Sequence, residues 1–190
     1  MIGAVILGAG ESRRMGTQKL LLEIKGRPML EWVINSFKEV VDEIVVVLGH
    51  KPELLIPLLK RLDVKWTVNI NYPDGMVTSV KEGLKMLKDL GAVFVALGDQ
   101  PLVEVDFLKK AIEVWKNGAK IVCPVVKGKK GHPVLFDRSL FDEILGLNKD
   151  QFLRDVIHRH KEDLRTIESG EWAITDIDTP EELKAFKWKF

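Results

Sequence analysis

Residues 1–19 read MIGAVILGAGESRRMGTQK, an apolar run that ends in a glycine-rich turn followed by basic residues. The apolar part, residues 2–7, is typical of a strand that is buried on both faces of a parallel sheet. Further strands, several of them apolar throughout, are predicted at residues 43–48, 64–68, 93–97 and 120–124. The start of the chain is therefore the first unit of a repeated strand pattern.

Segments with apolar residues at helical spacing alternate with these strands, at residues 29–40, 53–61, 77–87 and 105–117. After Cys123 the pattern weakens, and a strand is predicted at 132–136 and helices at 138–146, at 150–160 and from Thr179 onward. Strand and helix in alternation imply right-handed crossovers and a mainly parallel sheet. We therefore expect an α/β fold, a Rossmann-like three-layer α/β/α sandwich, in which residues 1–190 form a single domain.

The net charge, the apolar runs and the cysteine count indicate which kinds of partner and compartment to expect. The 190 residues carry a net charge of +1, which argues against broad nonspecific attraction to nucleic acid or to an anionic membrane. Every apolar run is far too short to span a bilayer. A single cysteine cannot form an internal disulfide, which fits a reducing compartment. A cytoplasmic protein with no nucleic-acid or membrane partner is expected.

The turn after the first strand places Arg13, Arg14 and Lys19 close together in sequence. Small residues at this position let backbone N–H groups approach phosphates, and the cations can surround a triphosphate. A dinucleotide fingerprint would need glycine in place of Arg13, and a P-loop would need Lys directly after Gly16. A solvated surface loop is the alternative, but the added cations favour phosphate binding.

The stretch LGAGESRRMGTQKLLL at 7–22, with GRPML at 26–30, closely resembles the signature L-[AG]-[AG]-G-x-S-x-R-M-G-x-x-K-L-L of the molybdenum cofactor nucleotidyltransferase family. It is also similar, more broadly, to enzymes that activate sugars and alditols. The resemblance covers nearly the whole chain and implies the nucleotidyltransferase fold. It assigns phosphate contacts and catalysis to Arg13 and Lys19. The base and ribose would lie against Leu7, Gly8, Ala9 and Gly10.

Residues 98–101, GDQP, follow the apolar strand at 93–97. An acid at this end of a strand lies where open α/β sheets bind ligands, and Mg²⁺ prefers carboxylates together with substrate phosphates. The alternative is that Asp99 simply begins a turn before Pro101. In the resembled family G-D-x-P is the metal motif, which implies that Asp99 binds Mg²⁺ and nucleotide and acts in catalysis.

A second acid is expected near the C-terminus, where residues 174–183 read ITDIDTPEEL. The Thr-Pro pair predicts a helix start capped by Asp178 or Thr179. The segment also resembles D-x-D-T-P-E-D-L, which implies that Asp178 is the second Mg²⁺ ligand. Asp176, two residues earlier on a predicted strand, shares its face and is the reserve candidate.

Residues 69–84, NINYPDGMVTSVKEGL, resemble the family pattern N-P-x(several)-G-M-x-x-S-[LV]-x-x-G-L, although the N-P pair is interrupted. This resemblance implies that Ser79 contacts the nucleotide, and ordinary turn and helix-cap chemistry is the alternative. On the acceptor side, Gly-His-Pro at 131–133 matches a motif of molybdopterin cytidylyltransferases and implies a role for His132. The family pattern G-D-x-G-x-R corresponds to KDQFLR at 149–154, in which both glycines are replaced. The match of its last residue implies that Arg154 binds the acceptor.

The resemblance implies a Mg²⁺-dependent transfer of CMP from CTP to molybdopterin, with release of pyrophosphate. The expected partners are an NTP and a phosphorylated acceptor, and a molybdoenzyme or its chaperone would receive the product. CTP is favoured because the Ala9 methyl takes room beside the base, although Gly8 could return some of it. GTP, or a sugar or alditol phosphate as acceptor, remains open. A noncatalytic nucleotide-binding domain is the rival class, and the pair of Asp99 and Asp178 argues against it.

Overall fold

The computed structural model describes residues 1–10 and 18–186, with the side chain of the last of these left aside. Its strands are β1 (Ile2–Gly8), β2 (Glu23–Ile24), β3 (Arg27–Pro28), β4 (Glu43–Leu48), β5 (Lys65–Val68), β6 (Ala92–Leu97), β7 (Ile121–Val126), β8 (Lys129–Lys130), β9 (Val134–Asp137) and β10 (Leu164–Glu168). Its helices are α1 (Met29–Lys38), α2 (Ile56–Arg61), α3 (Met76–Met86), α4 (Val105–Lys116), α5 (Phe141–Leu145), α6 (Leu153–Arg159) and α7 (Pro180–Phe186).

Most of the strands form one mixed sheet in the order β10-β7-β9-β6-β1-β4-β5, with β8 paired to β7. Strand β1 lies between β4 and β6 and is parallel to both. Strand β9 is antiparallel to both of its neighbours, so β7 runs in the same direction as β6. The prediction of a mainly parallel sheet is confirmed.

Helices cover both faces of this sheet. Alternate residues of each central strand face opposite sides, so each strand contributes to both buried layers. Ala4 and Ile6 of β1 pack with α1, α2 and α4 in one buried cluster. Val5, between them, packs with α3, α5 and α6 in the other. The continuous apolar run at the start of the chain is explained by this double burial, and the expected three-layer architecture is confirmed.

Two parts of the C-terminal half differ from the sequence-based prediction. Strand β10 was not expected, because it lies at the edge of the sheet and only Ile167 among its residues is buried. The expected strand around Asp176 was wrong: residues 175–178 are irregular. Backbone pairing to this segment is instead made by Ile177, whose N–H donates to the carbonyl of Asp99. Over the described residues, no helix combines the length and the apolar character that crossing a membrane requires.

Close packing of α3 on the sheet depends on a glycine within the helix. A Cβ added to Gly83 would lie 2.5 Å from Cγ1 of Val5 and 2.9 Å from Cγ2 of Val47. Both valines are fully buried in the sheet, so neither can move aside cheaply. Gly83 therefore sets the distance between α3 and strands β1 and β4.

Replacing Gly83 with Ala should lower the free energy of unfolding by about 1–3 kcal/mol, the usual cost of overpacking a core. Helix propensity alone predicts the opposite sign, because Ala stabilises a helix interior by about 1 kcal/mol relative to Gly. Urea unfolding of Gly83→Ala and of Lys85→Ala, a control on the exposed face of the same helix, measures the difference. A more stable Gly83→Ala variant would contradict the packing argument.

Candidate active site

The candidate site lies at the edge of the sheet where β1 and β6 end side by side, with Leu7 paired to Leu97. The N–H of Gly98 donates to the carbonyl of Leu7 at 3.0 Å. A Cβ on Gly98 would lie 2.9 Å from that carbonyl oxygen and 3.3 Å from the side chain of Leu20. Only glycine fits this contact, and it directs the next residue, Asp99, toward the loop that follows β1.

A pocket of about 550 Å³ opens at this edge, which we call the first pocket. Its wall contains most of the residues expected to bind nucleotide, namely Leu7, Ala9, Gly10, Ser79 and Asp99, together with Tyr72, Pro73, Met76, Leu97 and Asp176. Gly8 is not in this wall: it is the last residue of β1 and pairs with Leu48. Arg13 lies outside the described residues, so its phosphate role stays a prediction.

Lys19 occupies the centre of the site. Its Nζ atom lies 2.7 Å from Oδ2 of Asp99 and 2.7 Å from Oδ1 of Asp178. The Lys19 side chain is only 12% exposed, whereas the Asp99 and Asp178 side chains are 21% and 38% exposed. Three segments separated by long stretches of chain therefore meet at one ammonium group.

The start of α7 holds Asp178 in this position. The carboxylate of Glu182 accepts from the backbone N–H groups of Asp178 and Thr179, at 2.7 and 2.9 Å. In return, the Thr179 hydroxyl accepts from the N–H of Glu182 at 3.2 Å, which completes a capping box. The predicted helix cap is present, with Thr179 as its capping residue, and it leaves the Asp178 carboxylate directed at Lys19.

The charges around Lys19 define a position for a cation. Burial by itself would lower the pKa of Lys19, but the nearby Asp99 and Asp178 carboxylates outweigh it, and the pKa is raised. Two hard oxygen donors that face one cation are the ligands from which Mg²⁺, with substrate phosphates and water, is usually bound. Among the described residues no group of three His, Cys, Asp or Glu side chains forms a metal site. Asp99 and Asp178 could hold a metal ion together with oxygen ligands from a substrate.

Asp176, the reserve candidate for the metal, has a different partner. Its Oδ1 accepts from Nε2 of Gln100 at 2.7 Å. Loss of hydration raises the pKa of Asp176, the Gln100 hydrogen bond opposes that rise, and the charges of Asp99 and Asp178 add to it. The Gln100 side chain is 3% exposed, so it holds Asp176 at the wall of the first pocket rather than at the Lys19 ammonium.

A second pocket, of about 780 Å³, adjoins the first, and Met76 lines both. Its wall brings together His132 and Arg154, the two residues expected to bind the acceptor. Its lining residues are mainly apolar or basic, with one acidic residue, Asp155. The basic residues are Lys130, His132, Arg154, His158 and Lys161, and apolar ones include Val134, Phe136, Phe152, Ile157 and Leu164.

The loop that carries His132 is fixed by its backbone. Its N–H donates to the carbonyl of Ala173 at 2.9 Å, and a Cβ on Gly131 would lie 2.1 Å from that same oxygen. Burial lowers the pKa of His132, and the charge of Asp99 partly opposes this. Burial thus favours the neutral form of the His132 imidazole.

Where the family signature has its second glycine, this chain has Phe152, which is 47% exposed. The guanidinium carbon of Arg154 lies 4.5 Å from the centre of the Phe152 ring, a cation–π contact. The substitution therefore does not remove Arg154 from the pocket. It gives the guanidinium an aromatic support and adds a flat apolar surface beside it.

Similarity to known proteins agrees with this geometry. Residues 4–164 match the family described as the MobA-like NTP transferase domain. The chain belongs to the MobA-like NTP transferase family. It is therefore a nucleotidyltransferase, and the resemblance drawn from the sequence motifs is confirmed.

The names of similar proteins refer to two different nucleotides. A probable molybdenum cofactor guanylyltransferase of Natranaerobius thermophilus is 33% identical over 67% of this chain and 62% of its own length. The molybdenum cofactor cytidylyltransferase of Escherichia coli is 26% identical over 100% of this chain and 97% of its own. The crystal structure of Rv0371c from Mycobacterium tuberculosis has a TM-score of 0.85 at 23% identity, covering 99% and 97% of the two chains, and supports the fold.

The MobA-like NTP transferase site includes residues that the motifs did not predict. Tyr72 and Met76 line the first pocket, and Gly49 allows Tyr72 to approach Ala9, since a Cβ at Gly49 would lie 2.7 Å from Cγ of Tyr72. Gln100 is the variable residue of the G-D-x-P motif, and the sequence shows no reason to pair it with Asp176. Their proximity depends on tertiary contacts between distant segments.

Lys19→Ala should destabilise this MobA-like NTP transferase by about 1 kcal/mol, because two carboxylates then face each other without a cation and the pair is partly exposed. We expect millimolar Mg²⁺ to raise the melting temperature of Lys19→Ala more than that of the wild type. Lys65→Ala, which breaks an exposed ion pair with Glu43, is the control and should respond to Mg²⁺ only as much as the wild type does. Equal Mg²⁺ responses in all three proteins would show that Lys19 does not occupy a cation position.

Proposed function

We propose that this MobA-like NTP transferase transfers CMP from CTP to molybdopterin, with Mg²⁺ held by Asp99 and Asp178. Names of relatives support the reaction class, since full-length and partial matches are called molybdenum cofactor cytidylyltransferase and guanylyltransferase. The observation that carries the proposal is the meeting of Asp99 and Asp178 at Lys19, beside two adjoining pockets. One pocket can hold a nucleotide and the other an acceptor.

The proposed reaction is attack by an acceptor phosphate oxygen on the α-phosphorus of the NTP. A bond forms between that oxygen and the α-phosphorus, and the bond to the bridging oxygen of pyrophosphate breaks. A phosphate monoester is already anionic near neutral pH, so no general base is needed. The residues around the first pocket align the NTP, while Lys19, and Arg13 by the family resemblance, offset the negative charge that develops. Mg²⁺, when bound, supplies further charge neutralisation at the phosphates.

Covalent catalysis is not part of this proposal. Cys123 is fully buried within β7, and burial raises its pKa to about 11. A thiol with that pKa is almost entirely protonated near neutral pH and is a poor nucleophile. Direct transfer between the two substrates is the mechanism that these residues support.

The second pocket favours a phosphorylated heterocycle over a small sugar phosphate. Its apolar lining residues, and Phe152, which is 47% exposed, offer a surface on which a flat ring can stack. Arg154 and Lys161, also in its wall, can bind a phosphate group. Molybdopterin combines a fused ring system with a phosphate, and a molybdoenzyme or its chaperone would then receive the nucleotide-bearing cofactor.

Asp99→Asn should reduce pyrophosphate release from CTP and molybdopterin by about three orders of magnitude, because a neutral amide cannot balance the cation at the transferred phosphate. The fold should survive, since Asn is equally suited to a turn. Asp89→Asn, on the exposed turn before β6, is the matched control and should keep full activity.

Wild-type protein that binds NTP but releases no pyrophosphate with any phosphorylated acceptor would instead favour the noncatalytic class. Near-normal turnover by Asp99→Asn would show that Asp99 is not a metal ligand, and it would leave the proposed transfer reaction standing.

CTP should be preferred over GTP by roughly tenfold, which corresponds to about 1.4 kcal/mol. Ala9 is 8% exposed in the wall of the first pocket, and its methyl takes space that a purine needs. Gly8 returns none of that space, because it lies within β1 rather than in the pocket wall. Competition between CTP and GTP with molybdopterin as acceptor measures the ratio, and Ala9→Gly should bring it closer to one. A preference for GTP would overturn the cytidylyl assignment and leave the nucleotidyltransferase class unchanged.

A further inference from the structure

Asn69 is a buried polar residue that the proposed mechanism does not use. It follows β5 directly, its side chain is 2% exposed, and its N–H donates to the carbonyl of Leu48 at 2.7 Å. The amide Nδ2 donates to Oγ1 of Thr78 at 2.8 Å and to Oγ of Ser79 at 2.9 Å. Oδ1 accepts from the backbone N–H of Asn71 at 2.9 Å. Asn69 thus joins the end of the sheet to the first turn of α3.

The orientation of the Asn69 amide follows from its neighbours. A backbone N–H can only donate, so the atom that faces Asn71 must be the carbonyl oxygen. The amide nitrogen is then directed at Thr78 and Ser79, and rotating the amide by half a turn would break the bond to Asn71. The direction of each hydrogen bond is therefore determined even though hydrogen atoms are inferred.

This orientation has a consequence for Ser79, which lines the first pocket. The Ser79 oxygen accepts from Asn69, so its own proton cannot be directed at Asn69. In the part of the chain that is described, Ser79 donates to no protein acceptor, whereas Thr78 donates to the carbonyls of Asn71 and Gly75. The Ser79 hydroxyl is thus available as a donor to a ligand in the pocket.

We propose that Asn69 is a positioning residue, which orients the Ser79 hydroxyl as a hydrogen-bond donor to the base of the bound nucleotide. The inference rests on the proposed function, which places the nucleotide in the first pocket. For CTP the acceptor is O2 or N3 of cytosine, both of which carry lone pairs. Asn69 itself makes no contact with the base.

Asn69→Asp tests the proposal by reversing the polarity of one hydrogen bond. A carboxylate still accepts from Asn71 but cannot donate to Ser79, so the Ser79 hydroxyl must turn to donate to the carboxylate. Its lone pairs would then face the acceptor atoms of the base. We expect the KM for CTP, and the calorimetric Kd of CTP with Mg²⁺, to rise about tenfold while kcat changes less than twofold.

A double-mutant cycle separates positioning from a general loss of structure. Ser79→Ala alone should weaken CTP binding to a similar degree, and adding Asn69→Asp to it should weaken binding less than twofold further. An equal additional loss in the Ser79→Ala background would overturn the proposal. Thr78→Val, which removes the other acceptor of Asn69 and keeps Ser79, should stay within threefold of the wild-type Kd; a tenfold loss there would assign the effect to loop order instead.

The outcomes distinguish this inference from the proposed function. Calorimetry needs no acceptor, so an error in the acceptor assignment does not affect the result. If the wild type binds GTP in preference to CTP, the cytidylyl assignment fails, and the same cycle measured with GTP still decides the role of Asn69. Should Asn69→Asp fail to fold, Asn69→Ala removes the donor without burying a charge and should raise the Kd about threefold. A wild type that binds neither nucleotide overturns both proposals.

Discussion

The ammonium group of Lys19 connects the parts of this protein that make up the site. It lies 2.7 Å from carboxylate oxygens of both Asp99 and Asp178, which come from the middle and the end of the chain. Two partly buried carboxylates repel each other unless a cation lies between them. The approach of the C-terminal segment to the loop after β6 therefore depends on a positive charge at this point. A nucleotide-bound metal ion would satisfy the same requirement.

The sheet places the two loops of the site beside each other with little freedom. Strands β1 and β6 are adjacent and end together, and Gly98 contacts the carbonyl of Leu7 closely. Helix α3 packs directly over β1 because Gly83 has no side chain, and this brings Ser79 to the same edge. Burial of both faces of the strands thus stabilises the fold and also fixes the positions of the pocket walls.

Two adjoining pockets with different chemistry are what a transfer reaction between two substrates requires. The first is lined by Asp99, Asp176 and the Ser79 hydroxyl, and the second is lined by apolar and basic side chains. Met76 lines both pockets, and the charge of Asp99 in the first raises the pKa of His132 in the second, against the larger effect of burial. At Phe152 the chain departs from its family signature, and the ring of Phe152 contacts the guanidinium of Arg154 at the wall of the second pocket.

The sequence by itself determined the central strands, the three layers and the family, because double burial demands continuous apolar strands and the family signature lies in one local stretch of chain. It also indicated Asp99, Asp178 and Lys19, each within a local motif. Only the tertiary structure decided which polar and charged side chains meet, because no regular sequence spacing relates the partners of hydrogen bonds such as Gln100 to Asp176 or Asn69 to Ser79. Edge strand β10 escaped prediction for a related reason: its residues face solvent, so burial imposes little pattern on them.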